Sequence, residues 1–208
     1  MRYLKILILL TFSNTVISQN DIGDFEIISK NKIKALRIYN CLENSNCYSD
    51  YYEFGKCGKI ILEQPAMIGY YFKYEYNENC RIKFKYGMSN GHGPDNIWTK
   101  TEYHYNEVDS INYRIRVEFD KEGLVYNLDT LYGASESTRF KALNIIKNKN
   151  GQLIQHDCGE LHYPCGIFFK GNHIVKYEYQ DNGLISKAVI FNEKGNIIVD
   201  LTYEYIKT

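Results

Sequence analysis

Apolar and polar residues alternate along most of this chain with the period of two that a β-strand imposes when one side is buried and the other is wet. Tyr70, Phe72, Tyr74 and Tyr76 share one face of a predicted strand while Lys73 and Glu75 take the other, and Ile82, Phe84 and Tyr86 alternate with Arg81, Lys83 and Lys85 on the next. Further on, Tyr113, Ile115, Val117 and Phe119 alternate with Arg114, Arg116 and Glu118, and Ile197, Val199, Leu201, Tyr203 and Tyr205 with Ile198, Asp200, Thr202 and Glu204. Strands of this kind belong to an antiparallel sheet with one solvated face. No window keeps a helical period, so little or no helix is expected. Tyrosines and aliphatics are expected inside and charges in water.

The strands carry a recurring triplet: Tyr52-Glu53-Phe54, Tyr74-Glu75-Tyr76, Val117-Glu118-Phe119, Tyr177-Glu178-Tyr179 and Tyr203-Glu204-Tyr205, with Tyr103-His104-Tyr105 as a variant. Most copies run into a turn of constant length: Phe54 to Ile60, Tyr76 to Ile82, Phe119 to Val125, Tyr179 to Ile185 and Phe191 to Ile197, with Lys147 to Leu153 lacking the leading aromatic. Polar residues followed by glycine suit a type I turn whose last residue is left-handed, the form that closes a hairpin with a bulge. Cys80 occupies the glycine position of its copy, so either Asn79 is the left-handed residue there or the turn carries strain. The unit is therefore a β-hairpin used repeatedly.

On these residues the chain resembles the YD-repeat, or RHS-repeat, family of extracellular bacterial proteins, whose units read roughly aromatic-Asp-x-x-Gly-x-Leu. The resemblance covers about six short copies between Phe54 and Ile197, and Phe119-Asp120 alone carries the Asp in register. It implies a continuous, curling antiparallel sheet. Fold class follows as all-β: an antiparallel meander of repeated β-hairpins, forming a curled sheet or a partly open barrel-like layer.

Two stretches interrupt the repeat. Met88 to Thr99, with Gly91-His92-Gly93-Pro94-Asp95-Asn96 and the sole tryptophan, Trp98, reads as a turn-rich loop, and Leu128 to Thr138 reads as an internal connection. The rest is read as one domain, residues 20–208, because neither run of hairpins alone offers enough strands for a core.

Residues 1–19 stand apart in composition. Arg2 and Lys5 flank an apolar run from Leu4 to Phe12, and a short polar stretch ends Val16-Ile17-Ser18-Gln19, the order of a secretory signal peptide. The run is too short to span a bilayer and no second one follows, so no transmembrane segment is expected in the mature chain. Localisation is expected to be secreted or periplasmic. Acidic and basic residues balance at 25 each, which gives no electrostatic case for nucleic acid. All six cysteines, Cys41, Cys47, Cys57, Cys80, Cys158 and Cys165, lie beyond the export signal, which argues for disulfides. Cys41 with Cys47 and Cys158 with Cys165 each bracket a loop, and Cys57 with Cys80 hold near-equivalent turn positions in successive copies.

The chemistry-bearing residues all have plain structural explanations. His156-Asp157-Cys158-Gly159-Glu160-Leu161-His162-Tyr163-Pro164-Cys165 offers nitrogen and sulfur ligands, but its spacing fits no zinc finger and a disulfide is the simpler product of an oxidising compartment. Gly91-His92-Gly93 lacks the strand-to-helix context of a phosphate loop, and Ser135 and Ser137 lie in no nucleophile elbow. Glu53, Glu75, Glu118, Glu178 and Glu204 share a register, yet neighbouring Lys and Arg point to cross-strand charge pairs rather than a glycosidase pair. No catalytic residue, cofactor or metal is assigned. Among 20 tyrosines, Tyr48, Tyr71 and Tyr132 join Trp98 as residues to inspect for an exposed patch, with Trp98, Tyr71 and Tyr132 forming the candidate interaction surface. The reading is a secreted non-catalytic module that meets a protein or surface glycan or gives structural support at the cell envelope. The alternative is a small-ligand carrier with an aromatic-lined barrel cavity, and an enzyme comes third.

Overall fold

A computed structural model describes residues 24–40, 47–65, 69–89, 95–107, 110–132, 143–158, 161–162, 168–169 and 172–207. Residues 1–19, with the expected signal peptide, and Cys41, Cys165, Gly91-His92-Gly93, Ser135 and Ser137 lie outside them. The described chain is almost entirely strand: β1 Ile33–Asn40, β2 Tyr48–Phe54, β3 Ile60–Gln64, β4 Tyr70–Tyr76, β5 Ile82–Ser89, β6 Ile97–Tyr105, β7 Ile111–Phe119, β8 Val125–Tyr132, β9 Leu143–Lys147, β10 Leu153–Cys158, β11 Leu161–His162, β12 Phe168–Phe169, β13 His173–Tyr179, β14 Ile185–Asn192 and β15 Ile197–Lys207. One helix is present among the described residues, α1, Phe25–Lys30. The Asp24 side chain caps it by accepting from the Glu26 amide at 2.7 Å, and Ile28 is its buried residue.

Thirteen strands form one antiparallel sheet in the order β8-β7-β6-β5-β4-β3-β2-β1-β15-β14-β13-β10-β9, and β11 pairs with β12. Among the described residues the order is open, since β8 and β9 have one neighbour each. The meander of hairpins is thus present as read from the alternation. Two compact units divide the chain: Met1–Lys32, Ile38–Cys47 and Thr138–Glu204 form the first, and Ile33–Arg37, Tyr48–Ser137 and Tyr205–Thr208 the second.

The turns have the expected geometry. In each, the amide after the leading residue donates to a carbonyl four residues on, as Asn77 to Arg81 and Gln180 to Leu184, and the residue at the glycine position donates back. Gly58, Gly123, Gly151, Gly183 and Gly195 have φ between 66° and 85°. Cys80 itself, at φ 58°, takes the left-handed role, and Asn79 does not appear among the positive-φ residues. Cys80 is bonded to Cys57, so the disulfide ties the turn of one hairpin to the turn of the next. The pairing expected from their equivalent positions is present. Cys47 is also disulfide-bonded.

One detail repeats that the turn chemistry did not announce. Beyond the glycine, each hairpin carries a second irregularity: Phe54 pairs with Ile60 but Glu53 with Leu62, Tyr76 with Ile82 but Glu75 with Phe84, Tyr105 with Ile111 but His104 with Tyr113. A single extra residue sends every following side chain to the other face. Tyr52 consequently faces Glu63, Tyr74 faces Lys85, and Tyr103 faces Arg114. The expectation of aromatics on one face and charges on the other is therefore corrected in the second unit. Phe84 and Tyr86 lie on the opposite side of the sheet from Tyr74, and Arg114 is buried at 6% exposure. In the first unit the same bulge is matched by the sequence, so the one-sided pattern holds: Val175 faces Ile190, which faces Val199, and Tyr177 faces Ala188, which faces Leu201, all buried.

Two loop boundaries also change. Met88 and Ser89 complete β5 and Ile97–Thr99 open β6, while Leu128–Tyr132 belong to β8 and pair with Tyr113–Val117. Cross-strand pairing overrides the turn-rich composition on either side of these short runs.

Candidate functional site

Trp98 is held by strands rather than by a loop. The ladder shifts between Gly87 pairing with Thr99 and Met88 pairing with Ile97, which makes Trp98 the extra residue of a bulge. Gly87 leaves the space above β5 empty. A Cβ there would lie 2.5 Å from Thr99 Cγ2 and 2.7 Å from Trp98 Cε2, so the indole rests on bare backbone. Glycine inside a strand marks this kind of close approach. From there the ring reaches β4, 5.7 Å from the Tyr70 ring and 6.5 Å, edge-on, from Phe72. Such tilted aromatic pairs are each worth about 0.5–1.5 kcal/mol beyond their burial.

Tyr70 is backed by Trp98 yet remains 40% exposed. It borders a shallow cavity of about 380 Å³ formed by Leu62, Gln64 and Pro65 on one side and Gly69, Tyr70, Tyr71 and Lys73 on the other. Leu62 faces Lys73 across the β3-β4 ladder, so these two share one face with Tyr71, while Tyr70, at the start of β4, takes the alternate face with Phe72 and Trp98. Lys73 lies 5.8 Å from the Tyr71 ring centre. The site combines two aromatic rings, an amide and an ammonium around a concavity.

The other face of the same strands is a network of tyrosines and charges. Tyr74 donates to Glu63, and Lys85 stands 4.9 Å from the Phe72 ring and 5.5 Å from Tyr74. Burial, and then Glu63, push the Tyr74 hydroxyl far above the ordinary tyrosine range, so it remains a neutral donor. Trp98 Nε1 and Thr99 Oγ1 are buried and have no hydrogen-bond partner among the described residues. These groups pack against β4 on the face that carries Tyr70.

Of the three predicted surface residues, the structure brings Tyr71 and Trp98 to either side of Tyr70. Tyr132, 79% exposed on β8, stands apart, four strands from β4, or about 19 Å at ordinary strand spacing. It packs against Tyr113, which stacks on His104 at 4.3 Å. Sequence reasoning missed Tyr70 as the exposed member and Gly87 as its support. The signal was available in a glycine between Tyr86 and Met88 in an otherwise bulky strand.

The remaining candidates do not converge. Among the described residues no cluster of three or more His, Cys, Asp or Glu could hold a metal ion. His156 lies 3.4 Å from the Tyr177 hydroxyl, and burial pulls its pKa below the ordinary value. The five aligned glutamates pair elsewhere. Glu53 accepts from Tyr51 at 2.9 Å, Glu75 faces Phe84, Glu178 faces Lys187, Glu118 accepts from Asn127 and pairs with Arg116, and Glu204 accepts from Tyr39 at 2.7 Å. No helix among the described residues is long and apolar enough to cross a membrane.

No protein-family model matches the chain, and no curated protein matches it. Among solved structures it matches a porin-like protein from Bacteroides uniformis ATCC 8492, with a TM-score of 0.36 and 8% identity over 85% of this chain and 97% of that one.

Proposed function

We propose that this protein is an exported, non-catalytic β-repeat module that holds a surface glycan in the cavity between β3 and β4. The observation that carries the reading is Tyr70, an aromatic ring held by Trp98, still 40% exposed, and bordering the cavity that Gln64, Tyr71 and Lys73 also line. Sugars present C-H faces to an aromatic ring and hydroxyls to amides and ammonium groups, and a ring that is already immobilised loses little entropy on binding. The Cys57-Cys80 bridge supports an oxidising compartment, secreted or periplasmic. The open strand order supports this reading over the carrier, which needs a closed wall around its ligand.

A glycan array followed by calorimetry on the best hit tests it. Tyr70→Ala removes one stacking face worth about 1.5 kcal/mol, close to a tenfold loss of affinity. Trp98→Ala weakens binding less, because it only loosens Tyr70. A chain that binds no glycan on the array, or a Tyr70→Ala variant that binds as tightly as the parent, defeats the proposal.

A further inference from the structure

The two terminal strands of the sheet are built differently. Edge strands expose unpaired N-H and C=O groups, and proteins that need to stay unpaired blunt them with bulges, lysines or irregular backbone. β9 has these devices: two register shifts against β10, a left-handed Asn144 and Lys147 at its end. β8 has none of them on its outer side. Past its turn-side bulge it pairs with β7 without a break from Asn127 to Tyr132. Leu124, Val125, Tyr126, Leu128, Leu131 and Tyr132 are 39–79% exposed, and they project from both faces of the strand. Its sole charged residue is Asp129.

We propose that β8 is a dimerisation strand, pairing antiparallel with β8 of a second copy about a two-fold axis through Leu128. The side chains are self-complementary in that register. Leu128 meets its own equivalent, Val125 meets Leu131, Leu124 meets Tyr132, and Tyr126 meets Thr130. Asp129 then faces Asn127 of the second copy, an amide, and keeps Arg116 as its neighbour across the β7 ladder. Shifting the axis by one residue, to Asp129, sets two carboxylates directly opposite each other, which is unfavourable. The self-complementary apolar pattern points to a second copy as the occupant, and the charge pattern selects the Leu128 register over the Asp129 one. A sheet continued through β8 also covers the apolar side chains that the single copy leaves in water.

Sedimentation analysis of the full chain over a range of concentrations is the first measurement, and a particle of twice the chain mass is expected. Leu128→Lys sets two ammonium groups against each other and should weaken association at least about tenfold. Ile145→Lys, on the other edge strand, should leave it unchanged. Leu128 is 62% exposed, so its replacement is expected to spare the fold, with circular dichroism as the check. Leu128→Cys provides a second test that needs no loss of stability. Residues paired across a two-fold are within disulfide reach, so this variant should form a covalent dimer under mild oxidation. Thr130→Cys should not, because its two copies would stand four residues apart, about 13 Å. A monomer at every concentration, a dimer indifferent to Leu128→Lys, or cross-linking through Thr130→Cys in place of Leu128→Cys overturns the proposal.

Discussion

Three tyrosine hydroxyls do the same job in this protein, and removing them measures how its hairpins are stapled together. Tyr76, Tyr105 and Tyr179 each lead a turn, and each donates to the backbone carbonyl that ends the preceding turn: Tyr76 to Ile60 at 2.7 Å, Tyr105 to Ile82 at 2.9 Å, Tyr179 to Leu153 at 2.7 Å. Those carbonyls lie where the ladders between successive hairpins have run out. The β3-β4 ladder stops at Leu62 and Lys73, β5-β6 at Phe84 and Glu102, and β10-β13 at Gln155 and Lys176. The hydroxyl carries strand pairing one step further by replacing a missing backbone donor. Phe119 and Phe191 lead turns at the opposite ends of their strands, where no turn of equal length precedes them on the same side, and there the hydroxyl is absent.

Tyr→Phe at these positions keeps the ring and deletes one hydrogen bond. The net value of such a bond is about 1 kcal/mol, toward the lower end where water reaches the abandoned carbonyl. Each single variant should lose about that much; Tyr179, in the other unit, adds to either of the others, while Tyr76 and Tyr105 both meet Ile82 and are coupled, so the triple variant should lose about 2–3 kcal/mol. Urea unfolding reads this as a lower midpoint with an unchanged slope. Phe119→Tyr is the control and should gain nothing. A triple variant within about 0.5 kcal/mol of the parent, or a Phe119→Tyr gain equal to the expected losses, refutes the latch. Alkaline titration gives a second readout. Burial holds the Tyr179 hydroxyl at about 12 in the folded chain against 10 for the free group. Between those values the unfolded chain sheds the proton first, so stability is complete below pH 10 and falls as pH rises toward 12, and Tyr179→Phe flattens that fall.

Two further outcomes follow from the packing. Gly87→Ala drives a methyl into Thr99 and the Trp98 ring and should cost about 1–3 kcal/mol, with a shifted emission from the sole tryptophan; unchanged emission and unchanged midpoint would show that the indole does not rest on that backbone. Replacing Cys57 and Cys80 together by serine opens a loop of sequence separation 23 and should lower stability by about 3 kcal/mol on chain entropy, a value that an unaltered urea midpoint would exclude.

Much of this architecture was legible because hairpin turns are local. Positive φ at a fixed offset from an aromatic needs only the few residues around Gly123 or Gly183, and the same logic set Cys80 at the glycine position, with Cys57 in reach of it, but left open whether Asn79 or Cys80 itself turns left-handed. Which side of the sheet a residue occupies is not local in that sense. Alternation says that Phe84 and Tyr86 share a face, but whether that face is the one holding Tyr74 depends on the count of residues between them, and one bulge at Lys83 reverses the answer. The first unit shows that a sequence can be written for the bulge, since Ala188 and Ile190 follow Ser186 in the register that meets Tyr177 and Val175. The second unit is written differently. There the bulge sets Tyr52, Tyr74 and Tyr103 against Glu63, Lys85 and Arg114, a face that neither water nor an apolar core would select.

The candidate site follows from that inversion. Had β4 and β5 shared one aromatic face, Phe72 and Tyr74 would have packed against Phe84 and Tyr86, and Gly87 would have had no partner to admit. With the faces separated, β4 needs cover from elsewhere, and Trp98 supplies it by crossing Gly87 from β6. Tyr70 is left half outside because it closes the aromatic row at the strand's end, where the ladder gives way to the cavity. Exposure at Tyr70 and the inserted residue at Lys83 are thus two consequences of one register. A variant that deletes Lys83 keeps Glu75 opposite Phe84 and Tyr74 opposite Lys85 in an unbulged ladder, so Trp98 should stay on Tyr70, and a shifted tryptophan emission in that variant would count against this account of the faces.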